Sequence, residues 1–255
     1  MGLPGKQPYL CRTVKITSKM EDLKGKVAYI TGGSMGIGYG IAQVLLRQGM
    51  RVAISGRDER RIREAADSLD REQAMPLVSD VTRLSDEEEA VKAILYRWGR
   101  LDVVVANAGV GHFAPVDELS EDHWHQMIDT NLTGIFHTLK AALPALKESR
   151  GYYITVASLA GTNFFASGAG YNATKFGVVG FTQAVMLDLR PHDIKVSTIM
   201  PGSVATHFNR NQPSEKDAWK IQPEDIGELV LDLLKMNPRT LPSKIEVRPS
   251  RPDRK

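Results

Sequence analysis

The sequence has little cysteine, no long apolar run and little net charge, and each shortage excludes a class of protein. Cys11 is the only cysteine among 255 residues, which excludes an internal disulfide framework and favours a reducing compartment. No apolar run reaches the length of about 18 residues that indicates a membrane-spanning helix. The net charge of +3 is too small to argue for a nucleic-acid partner. We therefore expect a cytoplasmic globular protein without membrane or nucleic-acid partners.

Residues 1–20 differ in composition from the rest of the chain. They contain four basic residues and no acidic residue, and they lack the apolar centre of a secretory signal. This composition predicts a disordered N-terminal extension, with a short organelle-targeting segment as the open alternative. We expect residues 21–255 to form a single domain, because no repeat, low-complexity tract or linker interrupts them.

Apolar, strand-like runs alternate with amphipathic stretches along the whole chain. The alternation predicts a doubly wound parallel sheet with helices on both faces, the three-layer α/β/α Rossmann fold. Ser85 and Glu88 fit a capping box at the start of one helix. The expected strands are 26–31, 51–55, 74–80, 101–109, 152–157, 194–199 and 244–248; the expected helices are 40–49, 58–70, 85–99, 129–148, 171–189 and 223–235.

Three glycines stand between the first expected strand and the first expected helix. Gly32, Gly36 and Gly38 give the spacing Gly-x-x-x-Gly-x-Gly. Glycine there permits a tight turn and lets a phosphate approach the free N–H groups at the start of the helix. A glycine-rich turn that binds no ligand is the alternative.

Further motifs follow this turn in a fixed order. They are "NAG" at 107–109, "NLTG" at 131–134, Ser158, "YNATK" at 171–175, "PG" at 201–202 and Thr206. Together with "TGGSMGIG" they resemble the short-chain dehydrogenase/reductase family, most closely its NADP-preferring, 3-oxoacyl reductase-like members. The resemblance covers about residues 24–210 and implies an oxidoreductase that interconverts a ketone or aldehyde and an alcohol.

The resemblance implies a catalytic role for four residues. Tyr171 would be the acid and base, and Lys175, one helical turn away, would lower the pKa of the phenol and hold the nicotinamide ribose. Ser158 would donate a hydrogen bond to the substrate oxygen, and Asn131 would fix a water that connects Lys175 to solvent. Taken singly, each of these residues has an ordinary alternative as a surface or capping residue.

The end of the second expected strand indicates the cofactor. Gly56 stands where NAD enzymes of this kind carry an acid, and Arg57 can pair with a 2′-phosphate, so we expect NADP rather than NAD. A register slip would place Asp58 there instead, and Met35 replaces the basic residue that many NADP-binding glycine turns carry. The positions assigned to cofactor binding are Gly32, Ser34, Met35, Gly36, Ile37, Gly38, Arg57, Asp80, Val81, Asn107, Ala108, Gly109, Tyr171, Lys175, Pro201, Gly202, Val204 and Thr206.

Several questions stay open at this point. An NAD-dependent alcohol dehydrogenase and a non-catalytic NADPH-binding regulator are alternatives, and the carbonyl or alcohol substrate is not specified by the motifs. A homo-oligomer, dimer or tetramer, is expected, although the basic C-terminus departs from the glycine-rich ending of many tetramers. No metal site is expected, because His123 and His125 would point to opposite helix faces. Four residues flank the catalytic segments, and each either lines a substrate pocket or belongs to the core. They are His112, Phe164, Phe165 and Phe208.

Overall fold

The computed structural model describes residues 22–251 of the chain. The basic N-terminal segment, interpreted above as an extension, lies outside the described residues. The strands are β1 (Val27–Thr31), β2 (Arg51–Gly56), β3 (Ala74–Val78), β4 (Val103–Ala106), β5 (Tyr152–Val156), β6 (Lys195–Pro201) and β7 (Lys244–Val247). The helices are α1 (Gly36–Arg47), α2 (Glu59–Leu69), α3 (Leu84–Trp98), α4 (Glu121–Ile128), α5 (Gly134–Ser149), α6 (Ala169–Leu189) and α7 (Pro223–Lys235).

All seven strands pair in parallel and form one sheet. Their order is β3-β2-β1-β4-β5-β6-β7, with the chain winding outward in both directions from β1 and β4. Parallel strands place their carboxyl ends at the same edge of the sheet, which is where such folds bind ligands. The predicted doubly wound α/β fold is confirmed.

Helices cover both faces of the sheet and bury two apolar cores. Helices α1, α2 and α7 pack on one face, with Ile41, Ile62 and Val230 among the buried residues. Helices α3, α5 and α6 pack on the other face, where Ile94 and Leu146 are fully buried. The central strands have no polar face because each of their faces meets a helix layer.

The edge position of β3 explains a proline inside a strand. Pro76 lies within β3 and pairs in register with Ile54 of β2. A proline has no N–H to donate, so a strand that contains one is tolerated where only one neighbour strand exists.

The predicted capping box at the start of α3 is wrong. The helix begins at Leu84, and Arg83 is the N-cap without a side-chain hydrogen bond. Asp80 accepts a hydrogen bond from the backbone N–H of Thr82 (3.0 Å), and this turn leads the chain into the helix before Ser85 is reached. Ser85 is therefore already inside the first helical turn.

The segment expected to be one helix over 129–148 has two parts, and a further helix precedes it. Helix α4 ends at Ile128, a π-helical turn follows over Asp129–Thr133, and α5 begins at Gly134. Single π-helical turns are rare, and they are frequently found at functional sites. Among residues 22–251, no helix is long and apolar enough to cross a membrane.

We predict that Gly227→Ala destabilises the fold, because α1 and α7 touch through their backbones. A Cβ on Gly227 would lie 2.6 Å from Cγ2 of Val44 and 2.8 Å from the carbonyl oxygen of Gly40. Relieving this overlap should cost about 1–3 kcal/mol in the free energy of unfolding, measured by urea denaturation.

The matched control is Gly180→Ala, at an exposed position within α6 where a Cβ meets nothing within 4 Å. This change should leave the protein equally stable or stabilise it by up to about 1 kcal/mol. Equal effects of the two substitutions would contradict the close approach of α1 and α7.

Candidate active site

A cleft of about 1820 Å³ runs along the carboxyl ends of the central strands. Pockets for a single small ligand measure about 300–1,000 Å³, so this cleft has room for a dinucleotide and a second molecule. The structure brings the predicted site residues to this cleft, apart from Gly38 and Asn131, which do not line it and are buried.

The glycine turn has the backbone that its sequence predicts. Gly32 and Gly36 have φ angles of +65° and +57°, a conformation that other residues rarely adopt. Met35, the N-cap of α1, makes no side-chain capping bond, so the first N–H groups of the helix are not capped by that side chain. Such N–H groups bind anions, and the turn therefore fits a pyrophosphate.

Gly38 has a packing role within the same turn. A Cβ there would collide with the carbonyl oxygen of Gly32 and lie 2.7 Å from Nδ2 of Asn107. The absence of a side chain lets α1 start directly against the ends of β1 and β4. A larger residue would push the helix, and its N–H groups, away from the turn.

Asn107 connects the glycine turn to the end of β4. Its Nδ2 donates to the carbonyl oxygens of Thr31 (2.9 Å) and Gly32 (3.1 Å). In return, Oγ1 of Thr31 accepts from the backbone N–H groups of Asn107 (3.0 Å) and Ala108 (3.1 Å). Thr31 is the first residue of the motif "TGGSMGIG", but the sequence did not assign it this role.

One end of the cleft, after β2, carries exposed cations. Arg57 and Arg61 line it, and a Cβ on Gly56 would have only ordinary contacts, the nearest at 3.6 Å. Asp58 caps α2 by accepting from the N–H of Arg61 (3.0 Å), and its other oxygen lies 3.3 Å from Nε of Arg61. Arg61 lies in the expected helix 58–70 and belongs to no motif, so the sequence did not place it in the cleft.

The adjoining wall of the cleft contains Asp80 and Val81. The Asp80 carboxylate accepts from both the N–H and the hydroxyl of Thr82. Val81 is buried against Gly134 at the start of α5, and its carbonyl oxygen contacts Nδ1 of His137 at 3.1 Å. The two residues thus fix the loop that follows β3 at the wall of the cleft.

Ser158, Tyr171 and Lys175 meet at the other end of the cleft. Ser158 follows β5 and caps a short 3₁₀ turn, accepting from the N–H of Ala160 at 3.1 Å. This turn packs against α6 through Gly161, where a Cβ would lie 2.7 Å from the carbonyl oxygen of Lys175. The close approach brings Ser158 within hydrogen-bonding reach of Tyr171.

Burial shifts the pKa values of Tyr171 and Lys175 in opposite directions. It raises the pKa of Tyr171 to about 12, although the hydrogen bond with Ser158 lowers it in part. It lowers the pKa of Lys175 to about 8. The expectation that Lys175 would hold the tyrosine pKa below its usual value is therefore wrong here, because loss of water is the largest influence on this pKa. The Lys175 Nζ lies 5.7 Å from the centre of the tyrosine ring.

The Lys175 ammonium has one backbone partner. Its Nζ donates to the carbonyl oxygen of Val156, at the end of β5, with a distance of 3.1 Å. A Cβ on Gly109, in the loop after β4, would lie 3.7 Å from Nζ, which is an ordinary contact distance. The ammonium is therefore held at the base of the cleft by the end of β5, beside the loop after β4.

Asn131 lies in the π-helical turn and joins three segments. Its Oδ1 accepts from the N–H of Val110 (2.8 Å), and its Nδ2 donates to the carbonyl oxygen of Val110 (2.9 Å) and to Oγ1 of Thr174 (3.1 Å). The side chain is fully buried. Asn131 thus connects the loop after β4 to α6, immediately beside Lys175.

The loop after β6 closes the cleft beside the glycine turn. Pro201 ends β6, and Gly202 follows with its N–H bonded to the carbonyl oxygen of Val247 at 2.8 Å. Val204 bridges to Ile221, and Thr206 approaches Gly36, where a Cβ would lie 3.3 Å from Cγ2 of the threonine. Thr206 therefore faces the start of α1, and the other predicted residues of this loop line the cleft.

The structure also shows where the aromatic and histidine residues that flank the catalytic segments lie. His112, Phe164, Phe165 and Phe208 line the cleft, as does Phe113, which sequence reasoning missed because no motif contains it. His123 stacks on His112 (4.0 Å between ring centres), whereas His125 lies 3.6 Å from Glu121. Within residues 22–251, no group of three or more potential metal ligands occurs.

Comparison with known proteins gives consistent matches. A family model described as short chain dehydrogenase matches residues 26–217. An uncharacterised oxidoreductase of Staphylococcus aureus is 34% identical over 231 residues, 90% of this chain and 100% of the relative. An alcohol dehydrogenase of Thermococcus sibiricus, solved with 5-hydroxy-NADP, is 35% identical with a TM-score of 0.83, covering 90% of this chain and 99% of that one. A 3-ketoacyl-(acyl-carrier-protein) reductase of Brucella melitensis, solved with NADH, is 26% identical with a TM-score of 0.83, covering 89% and 98%.

Proposed function

The chain belongs to the short-chain dehydrogenase family, and we propose that it interconverts a ketone or aldehyde and an alcohol with NADP(H) as hydride carrier. The observation that carries the proposal is the meeting of Ser158, Tyr171 and Lys175 in one cleft with the glycine turn. A binding module that only senses a nucleotide has no need of a buried tyrosine and a buried ammonium at the far end of its cleft. An oxidoreductase does need them.

Tyr171 is the proposed proton donor. Its raised pKa keeps the hydroxyl protonated at neutral pH, which is the form that protonates a carbonyl oxygen. Ser158 donates a second hydrogen bond to the same oxygen, where negative charge develops. A bound NADPH supplies the hydride, or NADP⁺ accepts it in the reverse direction.

Lys175 is proposed to stabilise the phenolate that Tyr171 becomes. Below about pH 8 the lysine is an ammonium, and it lies one helical turn from the tyrosine in a site from which water is largely removed. Asn131 holds the Val110 loop and Thr174, and thereby positions Lys175. The expected water between Asn131 and Lys175 stays a prediction.

We favour NADP(H) over NAD(H) on the residues after β2. Gly56 leaves space, Arg57 and Arg61 supply positive charge, and capping of α2 engages the Asp58 carboxylate. The relative solved with 5-hydroxy-NADP supports this choice, whereas the reductase solved with NADH shows that the fold also accepts the other cofactor. An NAD-dependent enzyme acting on alcohols is therefore the second candidate.

The expected homo-oligomer stays a prediction.

We predict that Tyr171→Phe abolishes turnover and leaves NADPH affinity within a few-fold of wild type. The variant keeps the ring and removes only the proton donor, so carbonyl reduction should fall by about 10³-fold or more. NADPH oxidation at 340 nm and fluorescence titration of NADPH measure the two quantities. Retained turnover would contradict the role of Tyr171.

We predict that kcat/KM for carbonyl reduction falls as pH rises through about 8. Lys175 is charged below this value and neutral above it, because burial has lowered its pKa, so phenolate stabilisation is present at low pH and is lost at high pH. The decline should approach about tenfold per pH unit. The Lys175→Met variant should turn over slowly, and its kcat/KM should not show this decline with pH. A flat kcat/KM profile for wild type between pH 6 and 10 would contradict the role assigned to Lys175.

We predict that Arg57→Ala weakens NADPH binding by about 10-fold or more and leaves NADH binding unchanged, because the lost contact is to the 2′-phosphate alone. Fluorescence titration with both nucleotides measures the difference. Arg60→Ala is the matched control, since Arg60 is exposed at the start of α2, pairs with Glu64 and does not line the cleft.

Gly56→Asp should also disfavour NADPH, and it should favour NADH in addition. The position has space for a side chain, and a carboxylate there would repel the phosphate and accept from a ribose hydroxyl. We expect a switch toward NADH. If wild type prefers NADH, the register at the end of β2 is wrong; if it binds neither nucleotide, the proposed function fails.

A further inference from the structure

We infer that the substrate carries a flat apolar group, such as a phenyl ring, within one or two bonds of its carbonyl carbon, and that Phe113 and Phe208 recognise this group. The inference rests on the proposed function, because it takes Tyr171 as the residue that protonates the carbonyl oxygen. It goes further by choosing among substrate classes that the catalytic motifs leave open.

Aromatic rings surround Tyr171 on the side facing the cleft. Phe113 meets the Tyr171 ring edge to face, with centres 5.3 Å apart and planes at 75°. Phe208 meets the same ring with centres 5.8 Å apart and planes at 54°. Phe165 continues this wall at 5.7 Å from Phe113. The reacting hydroxyl is thus bordered by apolar ring surface from the loops after β4 and β6.

Gly111 allows two of these rings to converge. A Cβ at this position would lie 2.6 Å from Cζ of Phe208 and 3.1 Å from Cζ of Phe113. Distances this short mean that any side chain would displace at least one ring. The glycine therefore keeps the tips of two phenylalanines from different loops together beside Tyr171.

The ring surface is exposed inside a concave site. Phe113 and Phe165 are 39% and 48% exposed although both line the cleft. Exposed apolar surface in a cleft is unfavourable in water and indicates a binding surface for an apolar group. Aromatic partners have an added preference for the edge-to-face and offset arrangements that these rings already show.

His112, a polar residue beside this wall, already has partners. Nε2 of His112 lies 3.1 Å from Oε1 of Gln126, and the His112 ring stacks on His123. A sugar needs several hydrogen-bond partners when it is buried, and phenylalanine rings provide none. The chemistry of this wall therefore fits an aromatic carbonyl compound better than a sugar or a small hydroxy acid.

The test compares two methyl ketones, phenylacetone and butan-2-one, with NADPH as cofactor. Neither carbonyl is conjugated, so the ketones differ mainly in the phenyl ring. In wild type, kcat/KM should favour phenylacetone by about 100-fold. Phe113→Ala and Phe208→Ala should each reduce this ratio by about 10-fold, through a higher KM for phenylacetone, while kcat/KM for butan-2-one changes little.

The matched control is Phe176→Ala. Phe176 is 44% exposed on α6 and does not line the cleft, so its replacement should leave the ratio unchanged. Phe113→Leu provides a second variant that keeps apolar bulk without a ring, and it should fall between wild type and Phe113→Ala. Melting temperatures close to that of wild type show that the variants fold.

The outcomes separate recognition from other roles. If the Phe113 and Phe208 variants lower kcat equally for both ketones, the rings only position Tyr171 and the inference is overturned. Equal kcat/KM for the two ketones in wild type also overturns it, as does reduction of other carbonyl compounds but of neither ketone. Absence of turnover with every carbonyl compound tried, despite NADPH binding, instead overturns the proposed function.

Discussion

The hydrogen bonds between the ends of β1 and β4 are the interaction on which the rest of the site depends. The strand order reverses between these neighbours, so the chain leaves them toward opposite faces of the sheet and a crevice opens at their ends. Thr31 and Asn107 hold the two ends together through four hydrogen bonds. Because these bonds fix the separation between the ends of β1 and β4, the glycine turn after β1 and the Gly109 segment after β4 become two walls of one cleft. The ends of β1 and β4 also set the positions of the start of α1, the wall that carries Asp80 and the Tyr171 end of the cleft on α6.

Burial disfavours the charged forms of two groups, Tyr171 and Lys175, that meet at one end of the cleft. Loss of water penalises the phenolate of Tyr171 and the ammonium of Lys175 alike, which raises one pKa and lowers the other. When Tyr171 gives up its proton, a negative charge forms close to a positive one in a poorly hydrated site. The attraction between them is stronger there than in water. The environment that makes each charge costly alone therefore makes the pair favourable together, at the moment when the proposed reaction needs it.

Much of this could be predicted from the sequence, because the signals are local. The strand–turn–helix spacing around Gly32, Gly36 and Gly38 predicts the first βα unit, and the Tyr171–Lys175 spacing places both side chains on one helix face. The features that escaped prediction depend on distant contacts. Asn131 bonds to Val110, 21 residues away, and the Tyr171 pKa depends on how much water the surrounding loops exclude. The capping box at Ser85 failed for a different, local reason, because the Asp80–Thr82 turn starts the helix earlier.

Helix capping and the charge of the cleft are coupled at the end of β2. Asp58 lines the cleft directly after Arg57, and a free carboxylate there would oppose the binding of a phosphate. Both of its oxygens instead face Arg61: one accepts from the backbone N–H and the other lies near the guanidinium. The acid that starts α2 is thus engaged by the helix it caps. Because this local interaction engages Asp58, the neighbouring Arg57 can act as a cation in the cleft, and a rule for cofactor choice that counts only acids near the end of β2 would misassign this chain.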